Sequence, residues 1–361
     1  MRFMTDPTYV YTGTALNACL YLGLHTGKGS FLEFGTPKYR LGSTDEEAIY
    51  TWSACNIVSQ RLVPVIALPV TEPFCSHDYS VASYMGYPPV ASFTGKSLDK
   101  VLCGHNPFNM PRSYTIALQA AKFTNKLSKT AAATLEDAIG ISHHLVDQAE
   151  EEFLQLQHSL HPGIPDADDF TLRCVLLEVH ILYWLPLPGS SDEILRRCLT
   201  KSFHTSEGLI RLALQLERNF SFLSHAPHFV FRSLLTAACV IMAFLRSAYA
   251  PDGEEDQKMA DRLVRDSVAA LSACSVLEGD LCMRGPYLME SIWNMRKSAP
   301  RWDARVLGTS NFTHRLGASI VYDCLGRWKR DVERIRESAG SAPQRAGEDQ
   351  SNGRFYDTKP F

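Results

Sequence analysis

Apolar residues recur along this chain at three- and four-residue intervals, and that period predicts helices almost throughout. Asp6-Pro7 followed by an apolar stretch ending at Leu22-Gly23 combines a capping carboxylate, a proline suited to a first helical turn and a terminating glycine, predicting a helix over about 7–23. Ser43 and Glu46 have the spacing of a capping box, which opens a second helix over about 44–62 that Pro64 stops. Prolines and glycines are scattered through 64–110, where only a short helix near Tyr79–Met85 is expected. From Arg112 the helical period is nearly continuous. Ile116, Ala120, Phe123 and Leu127 mark one helix, and Leu135, Ile139, Leu145, Phe153, Leu156 and Leu160 mark the next. Further helices are predicted over about Phe170–Leu185, from a capping box at Ser190 and Glu193 to Leu223 with a break near His204, from Pro227 to Leu245, over 257–277 and 286–298, and from Leu307 to Arg336. The Pro227–Leu245 segment is apolar around its whole circumference, which predicts a central, buried helix.

No segment alternates with period two, and no repeat of fixed length is present, so the expected fold is all-α, a large irregular multi-helix bundle over residues 1–337. Residues 338–361 lack aliphatic residues and are expected to form a disordered C-terminal tail. With 45% hydrophobic and 21% charged residues the chain can bury a core. Its net charge of −3 gives no overall attraction for a phosphate backbone. None of the ten cysteines pairs with another in a C-x2-C or C-x4-C spacing, which argues against a zinc knuckle or dithiol redox motif and for packing in a reducing compartment. The start of the chain carries no secretory signal, and its most apolar stretch is too short to span a bilayer. A soluble intracellular protein is expected, with no membrane partner.

Candidate chemistry is sparse. Gly27-Lys28-Gly29 fails as a phosphate-binding loop, because Leu22 and Gly29 stand where a Walker loop needs glycine and Ser or Thr; it reads as a turn after the first helix. His158 and His161 could share a helix face but lack a third ligand, and they read as helix-end histidines. His143 and His144, adjacent in sequence, are expected to point to different faces. Asp166, Asp168 and Asp169 do not follow the D-D-x-x-D pattern of terpene synthases and are explained by helix capping. Arg327, Lys329, Arg330, Arg334 and Arg336 interleave with Asp331, Glu333 and Glu337 at helical ion-pair spacings, predicting a solvated face. No catalytic, cofactor-binding or metal-binding residue is assigned on this basis, and no enzymatic activity is expected.

Three stretches together resemble the middle homology region of fungal binuclear zinc-cluster transcription factors. The first is Ala15 through Gly23-Leu24-His25, similar to that region's A-x-x-L-G-L-H helix. The second is Glu47 to Gln60 with Trp52 and Cys55, followed by Leu68-Pro69, with Ala67 where that region usually has glycine. The third runs from Ala226-Pro227 through Arg232, Ala237 and Ala238 to Ala270, Leu271, Ser275, Val276, Asp280, Arg284 and Trp293. It is similar to the subgroup related to leucine-biosynthesis and weak-acid-stress regulators. The resemblance implies a helical regulatory domain that tunes RNA polymerase II transcription in the nucleus, with transcription machinery or co-regulators as partners, a small-molecule effector in some members, and compatibility with a homodimer. It also implies that DNA and zinc are bound only by an N-terminal module of the form C-x2-C-x6-C repeated, which is missing here, so that the chain is expected to be a truncated regulator. The competing expectation is an all-α enzyme or small-molecule-binding protein of secondary metabolism, distinguished by paired acids or three metal ligands converging in the folded chain.

Overall fold

The computed structural model describes residues 8–27, 44–61, 111–137, 140–160, 163–187, 189–276, 281–303 and 319–340. Among the described residues the regular structure is helical, apart from two isolated β-bridges, Ile141 with Pro186 and Ser247 with Trp302. The helices are α1 (Thr8–Tyr21), α2 (Asp45–Arg61), α3 (Arg112–Asp137), α4 (His143–Leu160), α5 (Asp166–Ile181), α6 (Asp192–Phe220), α7 (His228–Leu245), α8 (Glu254–Ala273), α9 (Arg284–Asn294) and α10 (Ser319–Gly340). The all-α expectation holds. None of these helices is long and apolar enough to cross a membrane.

Element boundaries differ from the sequence reading where short-range chemistry offers two choices. Thr44 and Glu47, not Ser43 and Glu46, form the capping box: the Thr44 amide donates to Glu47 Oε2 at 2.8 Å and the Glu47 amide to Thr44 Oγ1 at 3.2 Å. Ser191, not Ser190, caps α6 by accepting from the Ile194 amide, while Ser190 Oγ closes the preceding turn on the Leu187 carbonyl. In both places adjacent residues can cap, and the direction in which the chain enters the helix selects one. α6 passes through His204 without a break. α10 continues past Arg336 to Gly340, with Ser338 Oγ donating to the Arg334 carbonyl, so the tail boundary moves beyond 338. The short helix expected near Tyr79–Met85 and residues 341–361 lie outside the described residues.

The helix read as central is central. Val230, Phe231, Leu234 and Leu235 and every residue from Ala237 to Phe244 are buried. α6, α8, α9 and α10 surround α7, with α5 touching it from beyond α6. Leu209, Ala213 and Leu216 of α6, Leu263 and Leu271 of α8, Met289 and Ile292 of α9 and Ile320 and Cys324 of α10 complete this core. A smaller core joins α1, α2 and α3 through Cys19, Leu24, Ala48, Trp52, Leu118 and Ala121. Gly23 and Gly27 both adopt positive φ, 71° and 72°, around the short 3-10 turn Leu24–Thr26, as expected for a turn rather than a phosphate loop.

The C-terminal end of α7 is held by a buried ion pair. Arg246 Nη2 lies 3.1 Å from Asp331 Oδ2 on α10, and both side chains are 3% exposed. The guanidinium also donates to the carbonyls of Ile292 at 3.1 Å and Pro300 at 2.9 Å, and stacks over Trp302 at 4.8 Å. Trp302 Nε1 donates to the same Asp331 oxygen at 3.0 Å. Nearby, Arg327 is buried and bonded to Asp323 Oδ2 at 2.6 Å and to the Asp303 carbonyl. Arg327 and Asp331 are therefore removed from the solvated face predicted for them, whereas Lys329, Arg330 and Arg336 remain exposed. A strongly amphipathic helix with a charge at the edge of its apolar stripe can turn that charge inward if a partner waits there.

Two substitutions test this arrangement. Leu235→Asp places a carboxylate in the apolar jacket of α7 and should lower unfolding stability by several kcal/mol in urea titrations. Asp331→Ala strands the Arg246 guanidinium and should cost about 3–5 kcal/mol in the same measurement.

Candidate functional site

Among the described residues, a group of polar side chains partly open to solvent converges between α4, the turn after α5 and the first half of α6. Three apolar stripes set them there. Val146 and Phe153 bury one face of α4, Val179 and Ile181 anchor the end of α5, and Leu195, Cys198 and Leu199 bury one face of α6. Asp147 and Glu150 flank the buried stripe of α4 and Lys201 flanks that of α6, so packing these helices drives the three charged groups together. The Ile141 amide donates to the Leu185 carbonyl at 2.6 Å, which fixes the start of α4 beside the 3-10 turn Leu182–Trp184. Gly140 permits this approach, since a Cβ there would run into the Pro186 carbonyl.

The resulting network is continuous. Lys201 Nζ lies 2.7 Å from Glu150 Oε2 and 3.6 Å from Asp147 Oδ1. The Tyr183 hydroxyl donates to Asp147 Oδ1 at 2.6 Å and approaches Glu150 Oε2 at 3.3 Å. His180, buried beneath them, shares a hydrogen bond between Nδ1 and Thr205 Oγ1 at 2.8 Å. Its Nε2 sits 3.3 Å from Glu150 Oε1, a close approach without hydrogen-bond alignment.

These contacts determine the charge states. The His180 imidazole, and then the Lys201 ammonium, hold the Glu150 carboxyl at about 2, against the opposing effect of burial. Burial would lower Lys201, but its bond to Glu150 and the two nearby carboxylates raise it above the usual amine range. Burial, the bond to Asp147 and the charge of Glu150 push Tyr183 well upward. Burial also raises the Cys198 thiol. The phenol and the thiol are thus kept protonated at neutral pH, the opposite of what nucleophilic or general-base chemistry requires. The Glu150 carboxylate and the Lys201 ammonium are kept charged and suit recognition of charged groups.

Along the outer face of α6, an open groove of about 730 Å³ is lined by Glu193, Ile194, Arg196, Arg197, Thr200, Lys201 and His204. Lys201 belongs to both features. With Arg196 and Arg197 it makes the groove predominantly cationic.

The residues weighed from sequence are distributed differently. Asp166, Asp168 and Asp169 occupy the first turn of α5, where the helix dipole favours carboxylates, but none caps it: Pro165 is the N-cap and there is no side-chain capping bond, while Asp169 pairs with Arg173 at 2.8 Å. His158 is exposed in the last turn of α4, and His161 lies outside the described residues. His143 and His144 do not point to different faces. Their ring centroids are 4.0 Å apart, and they come together with Asp147, because the first helical turn lets neighbouring side chains fold toward one another. Sequence reasoning missed Asp147, Glu150 and Lys201 altogether. The available signal was partial: Glu150 stands four residues from buried Val146 and three from Phe153, and Lys201 three from buried Cys198, which marks charges at the edge of an interface, whereas Asp147 has no such spacing.

The architecture defines an all-α, multi-helix protein with a paired-charge cluster and a cationic groove. No protein-family model matches the sequence, and no solved structure matches it. The chain is 23% identical over an alignment of 366 residues to Regulatory protein LEU3 of Saccharomyces cerevisiae, which takes in 89% of this chain and 38% of that relative. It therefore spans well under half the length of the curated relative it matches.

Glu150 gives a direct test. A carboxyl depressed in the folded state contributes stability above its unfolded value, and that contribution is lost as pH falls toward the folded one. Glu150→Gln should cost on the order of 2 kcal/mol near neutrality. The difference from the parent in urea unfolding should shrink as pH is lowered from about 4.5 toward 2.

Proposed function

We propose that residues 1–337 are the regulatory domain of a fungal zinc-cluster transcription regulator, acting without catalysis in the nucleus on transcription by RNA polymerase II. The observation that carries this reading is the similarity to a yeast regulatory protein along 89% of the chain. It is supported by the three helix patterns at the start, at α2 and across α7 to α9. The Asp147–Glu150 pair and the converging His143, His144 and Asp147 meet the criterion set for the competing reading, an all-α enzyme or small-molecule-binding protein, which stands as the second reading. In the regulatory reading DNA is read by a separate zinc-holding module, in keeping with a net charge of −3 and the absence of closely paired cysteines in the chain. The helical domain receives a small effector or a co-regulator, and the cationic groove on α6 is the surface offered for it.

The test is to fuse residues 1–361 to a heterologous DNA-binding domain in yeast and read a reporter carrying its sites. The fusion should change reporter output relative to the DNA-binding domain alone, and Leu235→Asp, which disrupts the core, should abolish that change. The isolated chain should bind DNA only weakly and lose that binding as salt is raised. A fusion indistinguishable from the DNA-binding domain alone would overturn the reading.

A further inference from the structure

Two imidazoles and a carboxylate converge at the start of α4. His143, His144 and Asp147 each present a ligand atom, and these atoms lie within 4.8 Å of one another. The two rings are 4.0 Å apart between centroids and inclined by 38°. Around a tetrahedral ion with bonds of roughly 2.0–2.1 Å, ligand atoms stand about 3.4 Å apart. His144 is exposed and His143 and Asp147 are half-buried.

We propose that His143, His144 and Asp147 form a binding site for a divalent first-row transition ion, with Tyr183 positioning the carboxylate. Three features support it beyond proximity. Tyr183 and Lys201 both engage Asp147 through Oδ1, so neither of these contacts occupies Oδ2. A hydrogen bond to a ligating carboxylate from behind orients it and limits the freedom lost when a metal binds. Lys201 is the cation nearest the carboxylate, and Glu150 draws its ammonium to 2.7 Å, closer than the 3.6 Å to Asp147. Asp147 and Glu150 together carry one more negative charge than the Lys201 ammonium they share. Two nitrogen donors select ions of the zinc, cobalt and nickel kind over magnesium or calcium, which prefer oxygen. The loop that fixes this geometry is the one pinned by the Ile141 to Leu185 hydrogen bond, so the ligand helix and Tyr183 are held by one anchor.

The experiment uses the whole chain without an affinity tag, stripped by a chelator, dialysed and titrated with Co²⁺ while visible d–d absorption is recorded. Binding should saturate near about one equivalent per chain. Zn²⁺ should displace the cobalt, and excess Mg²⁺ should not. His143→Ala, His144→Ala and Asp147→Asn should each weaken binding by at least roughly tenfold, while His158→Ala, at the far end of the same helix, should bind like the parent. Tyr183→Phe should keep the stoichiometry but lose roughly tenfold in affinity and shift the absorption bands, which a purely structural role would not do. Circular dichroism of each variant shows that the fold is intact. Non-saturating titration of the parent, or unchanged affinity in the three ligand variants, overturns the site. An unchanged spectrum and affinity in Tyr183→Phe overturns its positioning role.

Discussion

A helix that is apolar on every side has no stable place at a surface, and the architecture of this protein follows from the need to enclose α7. From Ala237 to Phe244 no residue of that helix is left to solvent, which requires neighbours on all sides: α6, α8, α9 and α10 supply them. Each jacketing helix therefore needs only one apolar stripe, and each has one. The enclosure leaves a difficulty at the C-terminal end of α7, where Arg246 follows directly. Its guanidinium is buried, and burial lowers its affinity for the proton while Asp331 opposes that effect. Two carbonyls, a tryptophan ring and the Asp331 carboxylate surround it, so the charge that would be most costly to leave unpaired instead ties α7, α9 and α10 together.

The polar cluster depends on the same enclosure. α6 runs from Asp192 to Phe220 without interruption and serves two purposes along its length. Its apolar stripe packs against α7 and α8, and the residues at the edge of that stripe, Lys201 among them, meet α4 and the turn after α5. A long, rigid helix held by the core thus carries one cationic side chain into the Asp147–Glu150 pair and presents Arg196 and Arg197 to the open groove. Disturbance in the groove is mechanically adjacent to both the core and the imidazole pair at the start of α4.

Most of the fold was legible in the residues. Periodicity located the helices of the described regions and singled out Pro227–Leu245 as the central one, because a stripe that closes on itself can only be buried. The errors cluster where local chemistry is degenerate: Thr44 in place of Ser43, Ser191 in place of Ser190, Leu135 at the end of α3 rather than on the next helix, an unbroken helix at His204 and a longer last helix. Aspartates stand in the first turn of α5 as the helix dipole favours, because that effect acts within one helical turn, although Pro165 rather than an aspartate is the cap.

The candidate site was not legible in the same way. Sequence specified which residues face inward on each helix, and therefore the all-α class and the identity of the core, since burial of an apolar stripe depends on neighbours three and four positions away. It also carried the likeness to a yeast regulatory protein. Which charges meet across helices depends instead on crossing angle and rotation about each axis. Those are settled only when the stripes interlock. Glu150 and Lys201 are 51 positions apart, and Arg246 and Asp331 are 85 apart. Nothing in either local pattern names the partner, and only packing of the whole bundle brings them within hydrogen-bonding distance.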